Sequence, residues 1–250
     1  MIEKAWFKDW FNSPYYHLLY QNRNEQEAQH FIERLICYLN PFPKSTMLDV
    51  ACGKGRHSKV LADMGFDVTG TDLSEASIDE AMLDANENLH FYQHDMRLPF
   101  RVNYFDYAFN FFTSFGYFKT QREHNNAIRS IVQSVKKGGV FVIDYLNVQY
   151  ISDRIEKSTI VEANDIRFYV TKWEDEKHFY KQIQITEGNE PLNSENSHTE
   201  RVAKFTLEDF TKMLAEQGAI VSAVFGDYSL GEYHPKESPR LIIVAKRLGV

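Results

Sequence analysis

The sequence predicts an α/β fold with a seven-stranded, mostly parallel sheet, a reversed C-terminal strand, and an antiparallel β insertion after the fifth strand. Apolar strand-like runs alternate at short spacing with amphipathic helix-like segments, which favours parallel strands joined by crossover helices. The last two apolar runs are joined by a connection too short for a crossover helix, which favours an antiparallel pair. The predicted strands cover residues 47–51, 66–72, 90–95, 104–111, 140–144, 219–225 and 241–246.

Apolar residues at helical spacing predict the helices that cover this sheet. Asn24 can cap the first long helix, and the prolines at 41 and 43 end it. Gly138 and Gly139 are expected to end the helix before the fifth strand. The predicted helices cover residues 25–40, 57–64, 121–137 and 207–217, and one more follows Ser74 with Ala76, Ile78, Ala81, Met82 and Ala85 facing inward.

Residues 1–24 are rich in aromatic side chains and are predicted to be irregular. We expect the aromatic rings to pack on the domain. The alternative is an amphipathic helix at residues 2–11 on a membrane surface, although that helix would lack a basic face. No run approaches 18 apolar residues, so we expect no transmembrane helix.

The pattern changes at about residue 147. Residues 159–187 and 197–205 alternate between polar and apolar side chains, with a polar loop between them, and so predict antiparallel strands. We therefore divide the chain into a main domain and an insertion. The main domain covers residues 1–146 and 206–250 and includes an N-terminal helical arm, and the insertion at 147–205 is expected to act as a substrate cap.

Composition narrows the class of protein. The 250 residues are 43% hydrophobic, which is enough for a full core, and the net charge is 28 − 35 = −7. An acidic chain without a long basic run disfavours a nucleic-acid partner. The two cysteines, Cys37 and Cys52, fall in a predicted helix and in a glycine turn, so we expect free thiols and a cytoplasmic location.

The stretch from Met47 to Asp72 predicts a strand, a tight glycine turn, a helix and a second strand. Gly53 and Gly55 allow the backbone to approach a ligand closely. Asp72 follows Gly55 by 72 − 55 = 17 positions, a spacing that suits a carboxylate accepting both hydroxyls of a ribose. The stretch thus predicts a site for an adenosyl ligand.

Two adenosyl ligands fit a glycine turn. A nicotinamide dinucleotide would require a third glycine, but Ser58 stands there, and Arg56 and His57 add bulk where a pyrophosphate would lie. S-adenosylmethionine has no phosphate and needs a close turn, an acid for its ribose and a polar group for its adenine. The turn with Asp72 and Asp95 meets those needs in order.

Four segments resemble successive motifs of the class I S-adenosylmethionine-dependent methyltransferases: LDVACGKG, GTDLS, HDMRLPF and VKKGGVFVIDYLN. FFTSFGYFKT resembles aminosugar N,N-dimethyltransferases, and SHTERVAKFTLEDF resembles related bacterial methyltransferases. The resemblance covers roughly residues 15–247. It implies a Rossmann-like fold, S-adenosylmethionine as cofactor, and methyl transfer to a small molecule. Ala51 departs from the pattern, because many members carry glycine there.

The resemblance implies roles for the residues around the glycine turn. Asp49 would orient the turn near the amino-acid end of the cofactor, and Ala51, Cys52 and Gly53 would line the cofactor with backbone atoms. Asp72 would hold the ribose hydroxyls. The alternative for Asp72 is a purely structural role as a helix N-cap.

Further cofactor contacts are implied at the ends of the next strands. Leu73 and Met96 would pack on the adenine, and Asp95 would accept a hydrogen bond from its amino group. Asn110 and Phe111 would lie under the sulfonium end. The alternative for Asp95 is a solvated turn residue.

In the family's N-terminal segment, tyrosine and arginine close over the cofactor, and the candidates here are Tyr16, Tyr20 and Arg23. The tyrosines could instead be core residues, and the arginine a surface charge. On the acceptor side, Tyr117 is the preferred candidate because it follows the fourth strand. His124 is a second candidate, with an ordinary surface position as its alternative.

Methyl transfer from a sulfonium is an in-line displacement, so a general base is needed only if the acceptor must lose a proton. DNA amino-methylating enzymes carry a proline-rich motif after the fourth strand, which this chain lacks, and this favours a small-molecule acceptor. A homodimer is compatible with the pattern, and no metal site is expected. The alternatives are a nicotinamide-dependent oxidoreductase and a non-catalytic S-adenosyl-binding protein.

Overall fold

The computed structural model describes residues 6–20, 25–188 and 197–249. Eleven strands are present in these ranges and form two sheets. Their bounds are β1 Thr46–Val50, β2 Asp67–Asp72, β3 Leu89–Gln93, β4 Phe105–Asn110, β5 Val135–Leu146, β6 Ser158–Ala163, β7 Ile166–Glu174, β8 His178–Glu187, β9 Ser197–Ala203, β10 Ala219–Phe225 and β11 Arg240–Arg247.

The central sheet has the strand order β10-β11-β5-β4-β1-β2-β3. Strands β1 to β5 pair in parallel, whereas β11 is antiparallel to both of its neighbours, β5 and β10. The fold class is therefore confirmed, including the reversed strand. The order changes direction between β1 and β4, and the carboxyl ends of strands at such a point form a crevice that suits ligand binding.

The second sheet has the order β6-β7-β8-β9 and is antiparallel throughout, as predicted for the insertion. It is joined to the main sheet near Gly116, whose carbonyl accepts a hydrogen bond from the backbone N–H of Ala203 at 2.9 Å. Tyr145, at the end of β5, also donates to the Ala203 carbonyl. These contacts place the end of β9 directly against the loop that follows β4.

Eight α-helices lie in the described ranges: α1 Trp6–Phe11, α2 Pro14–Leu19, α3 Glu25–Leu39, α4 Arg56–Asp63, α5 Glu75–Ala81, α6 Gln121–Ser134, α7 Val148–Asp153 and α8 Leu207–Ala215. They cover both faces of the central sheet with two apolar clusters. One cluster contains Phe105, Ile128 and Phe210, and the other contains Phe31, Leu61 and Phe109. Each side chain in these examples is fully buried, so both faces contribute to the core.

The predicted end of α6 was wrong. The helix stops at Ser134, and Val135 already pairs with Phe105 at the start of β5. The next residue matched across these strands is Val140, opposite Tyr107, so the glycines lie in an irregular stretch of the strand. Val135 is completely buried. Burying this β-branched side chain beside β4 outweighs continuing the helix.

Two other local predictions were also wrong. Helix α5 ends at Ala81, and Met82–Asp84 tighten into a 3-10 turn, so Ala76, Met82 and Ala85 are exposed. The N-terminal segment was predicted to be irregular, but it contains α1 and α2. Helix α2 has a clear start, because the Ser13 hydroxyl accepts from the Tyr15 N–H and Pro14 occupies the first turn.

We call residues 6–20, which contain α1 and α2, the arm. The aromatic side chains of the arm pack inward. Phe7 and Trp10 are 6% and 1% exposed. Trp10 lies among Phe168, Val170 and Ile183 of the insertion sheet. Packing on the domain is therefore confirmed over a membrane-surface helix. Across the described ranges, every helix is too short or too polar to cross a bilayer.

Candidate active site

A cavity of about 510 Å³ lies beyond the carboxyl ends of β1, β2 and β4. This volume is within the range of about 300–1,000 Å³ that is usual for small-ligand sites. Eleven of the predicted site residues line it: Tyr16, Tyr20, Ala51, Cys52, Gly53, Asp72, Leu73, Asp95, Met96, Phe111 and Tyr117. The fold thus brings together residues from the arm, the glycine turn and three strand ends.

The glycine turn presents its backbone to the cavity. Ala51 and Gly53 have φ angles of 60° and 57°, in the left-handed region. A Cβ atom on Gly53 would meet nothing within 4 Å, so this position faces open space. At Gly55, by contrast, a Cβ would lie 2.5 Å from the Phe91 ring, and the packing of the turn on β3 therefore requires glycine.

Asp72 stands at the end of β2 with its carboxylate oriented by the backbone. One oxygen accepts from the Gly53 N–H and the other from the Ser74 N–H, each at 2.8 Å. Each oxygen can accept a second hydrogen bond, as the two hydroxyls of a ribose would require. Burial raises the pKa of Asp72, against the lowering effect of these hydrogen bonds. The N-cap of α5 is Ser74, whose hydroxyl accepts from the Ser77 N–H.

Asp49 and Asn110 do not line the cavity but lie behind its wall. Asp49 is 1% exposed and accepts a 2.7 Å hydrogen bond from the Ser58 hydroxyl. Burial raises the pKa of Asp49 to about 7. Asn110 is fully buried and donates to the Val50 carbonyl at 3.0 Å. Both side chains therefore tie the ends of β1, α4 and β4 together beneath the glycine turn.

Asp95 lines the cavity and is held by Arg97. The Arg97 Nη2 lies 2.6 Å from one Asp95 oxygen, and its Nε lies 3.0 Å from the other. Hydrogen bonds that Arg97 donates to the Asp95 carboxylate raise the pKa of Arg97. The Asp95 side chain is 17% exposed, so it is a fixed part of the wall and not a solvated turn residue.

The arm covers the cavity with four rings, those of Phe7, Phe11, Tyr16 and Tyr20. Phe11 lies 5.0 Å from the Tyr16 ring between centroids. The arm is also attached to the cavity wall, because the Ser74 hydroxyl donates to the Asn12 side chain at 2.7 Å. Arg23, the third predicted residue of this segment, lies outside the described residues.

The two acceptor-side candidates have different positions. Tyr117 lines the cavity, and its hydroxyl donates to the Thr113 carbonyl at 2.7 Å. His124 does not line the cavity and is only 3% exposed, so the surface alternative was wrong. It packs against Phe115 and Phe205, and burial lowers its pKa to about 4. His124 is therefore a neutral histidine of the core.

Several lining residues were not predicted, and Arg56, His57 and Phe112 are the clearest. The His57 ring stacks on Phe112 at 4.7 Å with an angle of 10° between planes. The Arg56 guanidinium lies 5.9 Å from the same ring. For Arg56 and His57 the available signal was their position in the first turn of α4, directly after the glycine turn, where side chains lie near a bound ligand. For Phe112 it was the position just after the end of β4.

Comparisons with known proteins agree with this geometry. A family profile described as a methyltransferase domain matches residues 47–139. The putative methyltransferase YqeM of Bacillus subtilis is 26% identical over 215 residues, which cover 82% of this chain and 85% of YqeM. The dTDP-3-amino-3,4,6-trideoxy-alpha-D-glucopyranose N,N-dimethyltransferase of Streptomyces venezuelae is 38% identical over 104 residues, or 40% of this chain and 42% of that enzyme.

Solved structures with a similar fold include methyltransferases. The structure of an S-adenosylmethionine-dependent methyltransferase from Clostridium acetobutylicum superposes with a TM-score of 0.77 at 17% identity, and the match covers 94% of this chain and 96% of that one. The strand order with its reversed β11, the open glycine turn and the matched domain lead to one conclusion: residues 47–139 match a methyltransferase domain, and the chain has the fold of the class I S-adenosylmethionine-dependent methyltransferases.

Proposed function

We propose that this methyltransferase transfers the methyl group to a small-molecule acceptor by in-line displacement. The observation that carries the proposal is the cavity of about 510 Å³, whose lining includes aromatic rings of the arm. A small molecule suits such a space, whereas a nucleic-acid chain would need an open, basic groove. The partial similarity to an aminosugar N,N-dimethyltransferase supports the same acceptor class.

The donor set of the cavity fits S-adenosylmethionine. We assign the ribose hydroxyls to Asp72, which has acceptor capacity left on both oxygens, and the adenine amino group to Asp95. Leu73 and Met96 belong to one apolar cluster and would contact the adenine faces. The exposed backbone at Gly53 leaves room for the methionine part.

When bound, the cofactor supplies a methyl group on a sulfonium that is already activated. The chain then has to align the acceptor and exclude water. The arm rings exclude water from above, and aromatic faces also favour a nearby positive charge. Tyr117 has its ring direction fixed by the bond to Thr113, so its oxygen can accept a hydrogen bond from the acceptor at a defined place.

The proposal is tested first by binding. Calorimetry with S-adenosylhomocysteine should give one site in the native chain, and Asp72→Ala should weaken binding at least tenfold, about 1.4 kcal/mol. Asp63→Ala is the matched control, because Asp63 is an exposed acid on α4 that pairs only loosely with Lys59 at 3.6 Å. Equal affinities for the native chain and Asp72→Ala would contradict the ribose assignment.

Turnover is tested with S-adenosylmethionine and a panel of small amines, alcohols and carboxylic acids, with duplex DNA and RNA as comparison substrates. We expect S-adenosylhomocysteine to form only with a member of the small-molecule set. Methylation of a nucleic acid alone would contradict the acceptor class. Binding of the donor without turnover across the whole panel would favour a non-catalytic binding protein.

A further inference from the structure

The guanidinium of Arg97 connects three parts of the donor site. It contacts Asp95 in the cavity wall, Glu123 in the first turn of α6, and the ring of Phe7 in the arm. Its Nη1 lies 2.6 Å from Glu123 Oε1, and its Nη2 lies 2.6 Å from Asp95 Oδ2. The side chain is 22% exposed, so these contacts are largely removed from water.

These contacts fix the direction of the Asp95 carboxylate. Asp95 Oδ1 accepts from both the backbone N–H and the Nε of Arg97, each at 3.0 Å, and Oδ2 accepts from Nη2. A two-point contact between a guanidinium and a carboxylate sets the plane of the acid as well as its distance. The Asp95 carboxylate therefore has a defined orientation in the cavity wall.

The pair is anchored on a helix, although Asp95 lies in a long connection between β3 and β4. Glu123 belongs to the capping box of α6, where one of its oxygens accepts from the backbone N–H of Thr120 at 3.0 Å. Burial would raise the pKa of Glu123, but the hydrogen bonds from Thr120 and Arg97 lower it below its usual range. Glu123 is thus a rigid, charged support for Arg97.

The same guanidinium also faces the arm. The ring centroid of Phe7 lies 5.9 Å from the guanidinium carbon, and that of Phe118 lies 4.9 Å from it. Both distances are within the range of a cation–π contact. Phe7 and Phe118 also contact each other edge to face at 5.9 Å. The arm therefore packs on the cation that orients Asp95.

We propose that Arg97 is a positioning residue for adenine recognition: it aims the Asp95 carboxylate at the adenine amino group and couples this aim to the packing of the arm through Phe7. The inference rests on the proposed donor assignment. It adds a residue that need not touch the cofactor, and it predicts that base discrimination depends on this residue.

The test compares two ligands that differ at the edge of the base that Asp95 would contact. They differ at the C6 substituent and at the neighbouring N1, which is an acceptor in adenine and carries a proton in hypoxanthine. S-adenosylhomocysteine carries an amino group on the base, whereas S-inosylhomocysteine carries a carbonyl oxygen, which a carboxylate repels. A site built to accept a hydrogen bond discriminates strongly against a ligand that lacks the donor. We expect the native chain to prefer S-adenosylhomocysteine by about 30-fold or more in calorimetry.

Arg97→Gln should bind S-adenosylhomocysteine about tenfold more weakly and retain a preference of only a few-fold, because the Asp95 carboxylate is no longer aimed. Arg97→Lys should be intermediate, since one ammonium cannot contact both acids in the same geometry. Arg101→Gln is the matched control. Arg101 lies in the same connection and faces Tyr92 and Tyr104, each at 5.1 Å, so its variant should behave like the native chain.

Circular dichroism checks that each variant is folded. If Arg97→Gln does not fold, Glu123→Gln replaces it, with the same loss of preference expected to a smaller degree. Equal weakening of both ligands in a folded Arg97 variant would overturn the inference, because it would show a general structural role. A native chain that binds both ligands equally would also overturn it, together with the assignment of the adenine amino group to Asp95, while the assignment of the ribose to Asp72 would stand. Failure of the native chain to bind S-adenosylhomocysteine would overturn the donor assignment itself.

Discussion

Asp49 lies directly beneath the glycine turn and is 1% exposed. Burial, and secondarily repulsion from Asp72, raises its pKa to about 7, although the Ser58 hydrogen bond acts in the opposite direction. The folded chain therefore binds a proton at Asp49 at pH values where the unfolded chain, with a pKa near 3.9, has already lost it. This carboxyl group contributes most to stability at low pH, and the contribution is lost as the pH rises from about 4 to about 7.

Asp49→Asn should accordingly gain stability relative to the native chain as the pH rises. The difference in the free energy of unfolding between pH 4 and pH 7 is at most about 4 kcal/mol. Urea denaturation at pH 4, 5, 6, 7 and 8 measures it, with Asp63→Asn as an exposed control whose curve should stay parallel to that of the native chain. A constant difference between Asp49→Asn and the native chain would show that Asp49 does not titrate in this range.

The buried pair Asp144–Arg240 supports the loop after β4, which carries the cavity-lining residue Phe112. Arg240 Nη2 lies 2.7 Å from Asp144 Oδ1, and Asp144 Oδ2 accepts from the Phe112 N–H at 2.8 Å. Phe112 and Thr113 both have positive φ angles, 55° and 59°, a conformation that costs about 1 kcal/mol or more for each residue without glycine. The ion pair holds this strained turn in place.

Asp144→Ala should therefore destabilise the chain by about 3–5 kcal/mol, because it leaves Arg240 charged and unpaired in the interior. Replacing both residues, as in Asp144→Ala with Arg240→Met, should recover a large part of that loss. Chemical denaturation measures both variants. Arg167→Ala removes an exposed ion pair with Glu162 and should leave the free energy of unfolding almost unchanged. A double variant no more stable than Asp144→Ala would contradict this account.

At the scale of elements, the arm is fastened to the insertion sheet by Glu200 on β9. Its carboxylate accepts from the Trp10 indole N–H at 2.7 Å and from the Tyr20 hydroxyl at 2.8 Å. The Trp10 ring also stacks on His198 of the same strand, with centroids 4.4 Å apart. One acid thus holds the first helix of the arm and the residue that ends the second. Since Tyr20 lines the cavity, the attachment of the arm helps to set the position of one wall of the cavity.

Glu200→Ala should loosen the arm, because two partly buried donors lose their acceptor at about 1–3 kcal/mol each. We expect faster hydrogen exchange in residues 6–20 and an affinity for S-adenosylhomocysteine lowered several-fold. Glu187→Ala is the matched control: Glu187 accepts from Tyr15 of the same arm at 2.8 Å, but on the exposed side. Equal effects of the two variants would show that Glu200 has no special role.

Element boundaries show where local patterns were sufficient. The spacing of apolar residues predicted α3, α4 and α8 within two residues of their observed ends, because each helix buries one continuous stripe. The end of α6 was missed because Val135 is buried by β4, which is about 30 residues earlier in the chain. Helices α1 and α2 were missed because their most buried rings pack on distant segments: Trp10 packs on the insertion sheet, and Phe7 packs on Phe118 of the main domain.

At the scale of the whole molecule, the site is assembled at the change of strand order between β1 and β4. The glycine turn, Asp72 and Asp95 were predictable because each directly follows a strand, and parallel strands bring their carboxyl ends to one edge. The part of the cavity lining that comes from outside these strand ends could not be predicted in this way. It forms only when the arm, the insertion and the loop after β4 meet, and the arm is separated from the other two segments by roughly 90 residues or more in the sequence.

By itself, the sequence determined three features of this protein: the fold class, the glycine turn, and the two acids at the ends of β2 and β3. Those features depend on local spacing and on a strand period that repeats along the chain. Only the tertiary structure decided that Arg97 bridges Asp95, Glu123 and Phe7, that Arg240 pairs with Asp144, and that Glu200 fastens the arm. These contacts depend on which charged groups and rings are buried next to each other in the folded chain, and local sequence spacing does not predict that.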